Sequence, residues 1–360
     1  MQDCAGSVAA GTPTNGLQIA FVMEQTLGNI THYKNLRREE GVGPGGPPRW
    51  LPIDFRAGRL PWTITGSALA RRAIGSVIDR VDGLFVHTTT IALLAADHFG
   101  RKPTVLSSDG TPFSKRRMRA DYGLRPQTGL AEQAKRALHR AVFRRARGFV
   151  GWSNWTKQSF VEDYGCREED VAVIPPGIDL SQFSRGDRSH ELPRILFVGA
   201  DFSRKGGDLL LDVFRRRLRG RAELVVVTKA EVPEEPFVHV HRDVVPNSPK
   251  LRELFATSDL FALPTRADCF PLACMEALAT ELPIVATRAG GIPELVREGE
   301  TGHLFEPGDA DALGDALEAL ITDPRRRETM GRAAREDAAC RFEVRTNARR
   351  LFEFVRGRCS

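Results

Sequence analysis

Short apolar runs alternate with helical segments along this chain, and no other feature limits its fold so strongly. The first set is LQIAFVM (17–23), GLFVHT (83–88), PTVLSS (103–108), GFVGWS (148–153) and VAVIPPG (171–177). Helical patterns separate them, notably at 64–78 and 129–147, and after Gly28 and Asn29, which read as a turn. A strand covered by helices on both faces has no polar side to show, so it reads as a continuous apolar run. Strand alternating with helix predicts a doubly wound α/β domain with a parallel sheet. The polar stretch LSQFSRGDRSHELP (180–193) reads as a linker, after which the pattern restarts. RILFVGA (194–200), ELVVVT (223–228), LFALPT (260–265) and LPIVATR (282–288) make a second α/β domain. Two Rossmann-like domains imply an interdomain cleft.

The length of 360 residues agrees, at about 150 residues per domain. Hydrophobic residues at 41% and charged residues at 27% exclude a disordered or fibrous chain. The net charge is +6, and only eight of the 52 basic residues are lysines. Arginine's planar fork suits phosphates and carboxylates better than a lysine point charge does. The six cysteines form no CxxC pair and no Cys/His cluster, which argues against a disulfide framework or structural zinc and fits a cytoplasmic protein. The start reads as a tail with no basic region leading into an apolar run, and no stretch reaches 18 apolar residues.

Two segments carry chemistry. In FVGADFSRKGGDLLLDVF (197–214) a strand runs into a loop with Arg204 and Lys205, and Gly206-Gly207 opens a helix. A helix start presents free N–H groups and a positive dipole end to an anion, and two adjacent cations there would neutralise a diphosphate. In PTRADCFPLACMEALATELPIVATRAGGIPELV (264–296), Asp268 stands on a loop and Glu276 eight residues on, inside a helix. That spacing can place both carboxylates at one site near the helix start. A carboxylate there can accept two hydrogen bonds from the neighbouring hydroxyls of a sugar. The segment 270–273, with Phe270, Pro271 and Leu272, brings backbone N–H groups beside it.

These segments, with VIPPGID (173–179) and GHLFEPGDADALGDALEALITDP (302–324), resemble the GT-B-fold glycosyltransferases, and family 4 above all, the retaining nucleotide-sugar transferases. The resemblance runs through nearly the whole chain in the family's order. It implies a GT-B architecture: an acceptor domain over 17–187, a donor domain over 188–342, and a helix at 343–360 that returns to the first domain. The activity implied is transfer of a hexosyl group from a UDP- or GDP-type sugar to an acceptor hydroxyl, with no metal and no cofactor beyond the donor. Glu276 inherits the nucleotide ribose and Asp268 the donor sugar. Arg204 and Lys205 inherit the diphosphate, and Gly28 with Asn29 faces it from the first domain. Phe270, Pro271 and Leu272 complete the donor set. The base would lie near Arg242 to Val245.

The chain departs from the family in three places. Asp268 stands where Glu is common. Ala200 and Asp201 replace an arginine after the strand-end glycine. Asp109 takes the place of the histidine that usually ends the strand at 103–108, although a branch of the family carries such an Asp-x-Thr-Pro motif. Asp109 is then the catalytic candidate on the acceptor side, against the plainer reading as a turn or helix cap. His87 is a second candidate there, and His32 a third; a lone histidine by a strand end is more often structural. Asp309 and Asp311 form a DxD, but they precede ALGDALEAL and read as a helix cap.

Arg136, Arg140, Arg144 and Arg147 are spaced by four, four and three, which puts them on one helical face. Such a face could rest on anionic membrane from the cytoplasmic side or collect a phosphorylated acceptor, or be a plain solvated stripe. No aromatic residues interleave with it and no binding motif appears, which disfavours nucleic acid. The partners expected are a nucleotide-sugar donor and a glycan, lipid or small-molecule acceptor. A non-catalytic nucleotide-sugar-binding subunit is the alternative, since Asp268 and the missing arginine both depart from the transferase pattern.

Overall fold

The computed structural model describes residues 16–26, 28–43, 46–55, 61–120 and 129–360; most of the tail read above lies outside them. The chain divides into two units, Met1–Gly177 with Val344–Ser360, and Ile178–Glu343. The first therefore stops short of residue 187, and the stretch 180–193 belongs to the second. Its polarity has a local cause. Arg188 donates to the carbonyls of Thr280 (2.5 Å), Glu281 (3.1 Å) and Ala256 (3.1 Å), so the stretch is fastened to its own unit.

The first unit holds a six-stranded, all-parallel sheet of β1 (Ile19–Glu24), β2 (Arg49–Ile53), β3 (Gly83–His87), β4 (Thr104–Ser108), β5 (Gly148–Gly151) and β6 (Val171–Val173), in the order β2-β1-β3-β4-β5-β6. Every residue of β1, β3, β4 and β5 is buried, as the apolar runs predicted. Strand β2 is an edge strand that opens on exposed Arg49 and carries Pro52, so its apolar run is broken. The last helix, Val344–Cys359, lays Ala348, Leu351, Phe352 and Val355 on one face of this sheet. Phe352 meets Phe21 edge-on at 5.5 Å. Gly28 and Asn29 are not a turn before a helix; they are the first residues of the helix Gly28–Arg38, and Asn29 N–H donates to the Thr26 carbonyl (3.0 Å).

The second unit repeats the plan with β7 (Arg194–Val198), β8 (Glu223–Val227), β9 (Val238–His241), β10 (Leu260–Leu263), β11 (Ile284–Thr287) and β12 (Gly302–Phe305), all parallel, in the order β12-β11-β10-β7-β8-β9. The edge strands β9 and β12 are short and half-buried, which hid them from an apolar-run criterion. In both sheets the order reverses once, between β1 and β3 and between β7 and β10. Open α/β sheets bind ligands beyond the carboxyl ends of the strands at such a reversal. No helix among the described residues is long and apolar enough to cross a membrane.

Candidate functional site

In the second unit the reversal is flanked by the loops after β7 and β10, the two segments singled out by sequence. Gly206, at φ 77°, turns the chain into the helix Gly207–Val213. A Cβ there would stand 1.9 Å from the Pro264 carbonyl oxygen, so only glycine lets the two loops touch. Arg266 N–H donates to the Arg204 carbonyl (2.9 Å), and the Arg204 guanidinium donates to the Ala267 carbonyl (2.7 Å) and pairs with Asp201 (3.1 Å). Lys205 forms an ion pair with Asp268, and their side chains are only 16% and 14% exposed. The structure thus joins Arg204, Lys205 and Asp268 in one cluster.

Phe270 and Pro271 lead into the helix Leu272–Ala279, which no side chain caps. In its first turn the Cys274 N–H donates to the Pro271 carbonyl (3.1 Å), and no side chain takes the N–H groups of Leu272 and Ala273. One turn further on lies Glu276, buried and without a hydrogen-bond partner for its carboxyl among the described residues. Burial pushes its pKa up to about 8, with Arg252 pulling the other way. Burial thus favours the neutral acid over the carboxylate. Cys274 is buried beside these groups: burial pushes its thiol up, the Asp268 and Glu276 charges add to the rise, and Lys205 opposes it.

In the first unit, the carboxyl ends of β1, β3, β4 and β5 carry Glu24, His87, Ser107 with Asp109, and Trp152. His87 is fully buried. Its Nε2 donates to Asn29 Oδ1 (3.1 Å), which leaves Nδ1 to accept from the Ser107 hydroxyl (3.2 Å). The imidazole stacks on Trp152 at 5.1 Å and 13° and meets His32 edge-on at 5.0 Å. Burial, helped by the Lys115 charge, lowers the His87 pKa to about 3, and burial holds His32 well below the usual imidazole value. Asp109 pairs with Lys115 (2.8 Å) and is not the helix cap; Thr111 Oγ1 accepts from Ser114 N–H and caps the helix Pro112–Ala120. Gly28, Asn29, His87 and Asp109 therefore gather at one sheet edge.

Sequence reasoning missed Glu24 and Trp152. Glu24 is buried at the end of β1 and accepts from the Thr26 and Thr88 hydroxyls. An acid closing an otherwise apolar strand was the available signal. Asp309 is a cap, as its sequence setting indicated: it accepts from Ala312 N–H (2.9 Å) at the start of the helix Ala310–Thr322. No group of three or more His, Cys, Asp or Glu among the described residues could hold a metal ion.

The arginine face is not continuous. The helix Leu130–Phe143 ends before Arg144, so only Arg136 and Arg140 share it. Both donate to the Asp163 carbonyl, and Arg136 also lies 4.5 Å over the Phe113 ring. These two cations are spent inside the unit.

The family described as "Glycosyltransferase Family 4" matches residues 27–182, and that described as "Glycosyl transferases group 1" matches residues 192–323. Among curated relatives, a D-inositol 3-phosphate glycosyltransferase of Kribbella flavida is 33% identical, over 49% of this chain and 48% of that one. A GDP-mannose-dependent alpha-(1-6)-phosphatidylinositol monomannoside mannosyltransferase of Mycolicibacterium smegmatis is 30% identical, over 57% of this chain and 61% of that one. The chain spans about half the length of the curated relatives it matches. Sucrose-phosphate synthase of Thermosynechococcus elongatus superposes with a TM-score of 0.76 at 15% identity, over 95% and 98% of the two chains. HepE of Anabaena, in complex with UDP and glucose, superposes at 0.70 with 18% identity, over 94% and 98%. At such identities the likeness is one of fold. With one family domain in each unit and the GT-B fold throughout, the chain belongs to the family 4 glycosyltransferases.

Proposed function

We propose that this chain transfers a hexosyl group from a nucleotide-diphosphate sugar of UDP or GDP type to an acceptor hydroxyl, with retention and without a metal ion. One observation carries the reading. At the reversal of the second sheet stand a cation, Lys205, a carboxylate, Asp268, and a buried carboxyl, Glu276, that lacks a partner, all beside an uncapped helix start. That set matches a diphosphate, a sugar and a ribose in turn. The relative named as GDP-mannose-dependent and the HepE complex with UDP support a donor of this class.

In this reading Glu276 accepts from the ribose hydroxyls, and Asp268 orients the sugar. The bond from the anomeric carbon to the diphosphate oxygen breaks through an oxocarbenium-like state. Lys205, Arg204 and the N–H groups of the Leu272–Ala279 helix take up the charge that develops on the leaving oxygens. The acceptor oxygen bonds to the same face of the anomeric carbon, and its proton passes to a diphosphate oxygen. Asp109 orients that hydroxyl. The acceptor class is a glycan, lipid or small molecule.

A panel of UDP- and GDP-sugars tests this by thermal shift. One of them raises the Tm of the parent and leaves Lys205→Ala and Glu276→Ala unmoved. Equal shifts in parent and variants would place the donor elsewhere. Donor binding without hydrolysis or transfer to any acceptor would make the chain a binding subunit instead.

A further inference from the structure

The transfer reading leaves the other edge of the first sheet unused. Strands β5 and β6 begin there, at Gly148 and Val171, and a cavity of about 530 Å³ opens beside them. Its lining combines buried Phe143 and Tyr164 with Arg144, Arg147, Arg167 and Arg358. The four residues of β5 alone set this edge about 13 Å from the one that carries Trp152. The cavity is therefore separate from the site built on His87 and Asp109.

Its lining carries four arginines and one acidic side chain, Asp170. Asp170 accepts from both Arg167 (2.7 Å) and Arg358 (2.5 Å), and Glu169 stands 3.5 Å from Arg167. Arg144 and Arg147 have neither an ion pair nor a side-chain hydrogen bond among the described residues, and both are exposed. Other arginines do have acidic partners: Arg194 with Glu223 (2.6 Å), Arg215 with Glu235 (2.7 Å), Arg217 with Asp315 and Glu318 (2.5 Å each).

Neighbouring guanidiniums repel one another, and an anion between them converts that cost into charge-assisted hydrogen bonds. Each guanidinium offers a fork that fits a phosphate oxygen pair. The aromatic lining gives a carbon skeleton a place to rest, and the volume lies in the range of small-molecule sites. We propose that this cavity binds a phosphate ester, with Arg144 and Arg147 on the phosphate and Phe143 and Tyr164 against its carbon part. A soluble polyol phosphate and a phospholipid head group share that chemistry.

Two probes separate them on the intact protein: glycerol 3-phosphate by titration calorimetry, and vesicles of phosphatidylcholine with or without phosphatidic acid by flotation. The parent binds glycerol 3-phosphate if the ligand is soluble, or only the phosphatidic acid vesicles if it is a lipid. The double variant Arg144→Gln, Arg147→Gln binds the same probe about a hundredfold more weakly, at about tenfold per charge-assisted contact. Its response to UDP stays that of the parent, which also shows that it is folded. Lys205→Ala binds the probe as the parent does. Binding of neither probe overturns the proposal, as does equal binding by the double variant. A signal lost in Lys205→Ala belongs to the donor site and overturns it too.

Discussion

Lys205 and Asp268 pair directly over the reversal of the second sheet, where β7 and β10 run side by side. Neither side chain is more than about a sixth exposed, so the pair is largely shielded from water. A donor diphosphate arriving there meets a lysine that already has an anion. Asp268→Asn removes that competitor while keeping the shape. The variant is expected to bind UDP more tightly than the parent, by about tenfold for each 1.4 kcal/mol of competition removed. Under the proposed function its hydrolysis of the sugar donor is expected to fall steeply, because the sugar would lose its orienting carboxylate. Without ligand its Tm drops, since a shielded ammonium loses its partner, and UDP restores it. Calorimetry and UDP release measure both effects. Weaker UDP binding in Asp268→Asn would mean that the carboxylate supports the diphosphate site rather than competing for its cation.

The contact between the two loops depends on Gly206. Its left-handed φ costs an alanine about 1–2 kcal/mol, and the added methyl would meet the Pro264 carbonyl at 1.9 Å. Gly206→Ala is expected to lower the Tm by more than the dihedral alone and to abolish the donor-induced shift. Gly220→Ala is the control: its φ is 75° with nothing within 4 Å of the new methyl. It loses stability by the dihedral cost only and keeps its donor response. Equal losses in the two variants would show that the loop contact is not what Gly206 serves.

The parallel sheets were legible because central strands covered on both faces are apolar throughout, as in IAFVME up to its last residue. Edge strands such as β9, with His239 and His241, face water on one side and lose that signature. The placing of Lys205, Asp268 and Glu276 was legible because the first two lie in the loops that follow β7 and β10 and the third in the helix after the second loop, the segments that flank the reversal. The stack of Trp152 on His87 was not legible. It joins the ends of β3 and β5, and only the order of the strands brings those ends to one edge. The arginine spacing was read correctly as far as a helix lasts, but the Asp163 carbonyl that Arg136 and Arg140 hold is a tertiary partner with no sequence mark.

Glu276 couples the fold and its ligand to pH. Its folded pKa of about 8 lies above the ordinary carboxyl value of 4.5. The folded chain therefore holds a proton there that the unfolded chain releases, and the stabilisation this gives is full below 4.5 and lost as pH rises towards about 8. Glu276→Gln keeps a neutral group at every pH, so it gains stability over the parent as pH rises through that window. In the proposed donor site, ribose hydroxyls donating to the carboxylate would favour its charged form, so donor binding is expected to release a proton. UDP affinity in the parent is expected to climb with pH up to about 8 and then level off. In Glu276→Gln it is weaker and flat. A parent affinity that does not change with pH would mean that the ribose does not meet this carboxyl.

His87 and Asp109 make opposite demands on a pH–rate profile. With its pKa at about 3, His87 is a neutral imidazole throughout the working range, and its two nitrogens are committed to Asn29 and Ser107. It can hold the start of the Gly28–Arg38 helix in place through Asn29, but it cannot supply a titration near the usual imidazole value of 6.5. The rate profile is therefore expected to keep its shape in His87→Gln, with a lower rate and a weakened donor shift, because the Asn29 contact is disturbed. Asp109→Asn is expected to leave the donor shift intact and to lower transfer to the acceptor, since in the proposed function its carboxylate, held by Lys115 at 2.8 Å, orients the acceptor hydroxyl and takes no part in holding the donor. Thermal shift with the donor and transfer rates across pH measure both. If His87→Gln removed a limb centred near 6.5, the imidazole would be the group that moves the acceptor's proton, and Asp109 would be left as a partner for Lys115 alone.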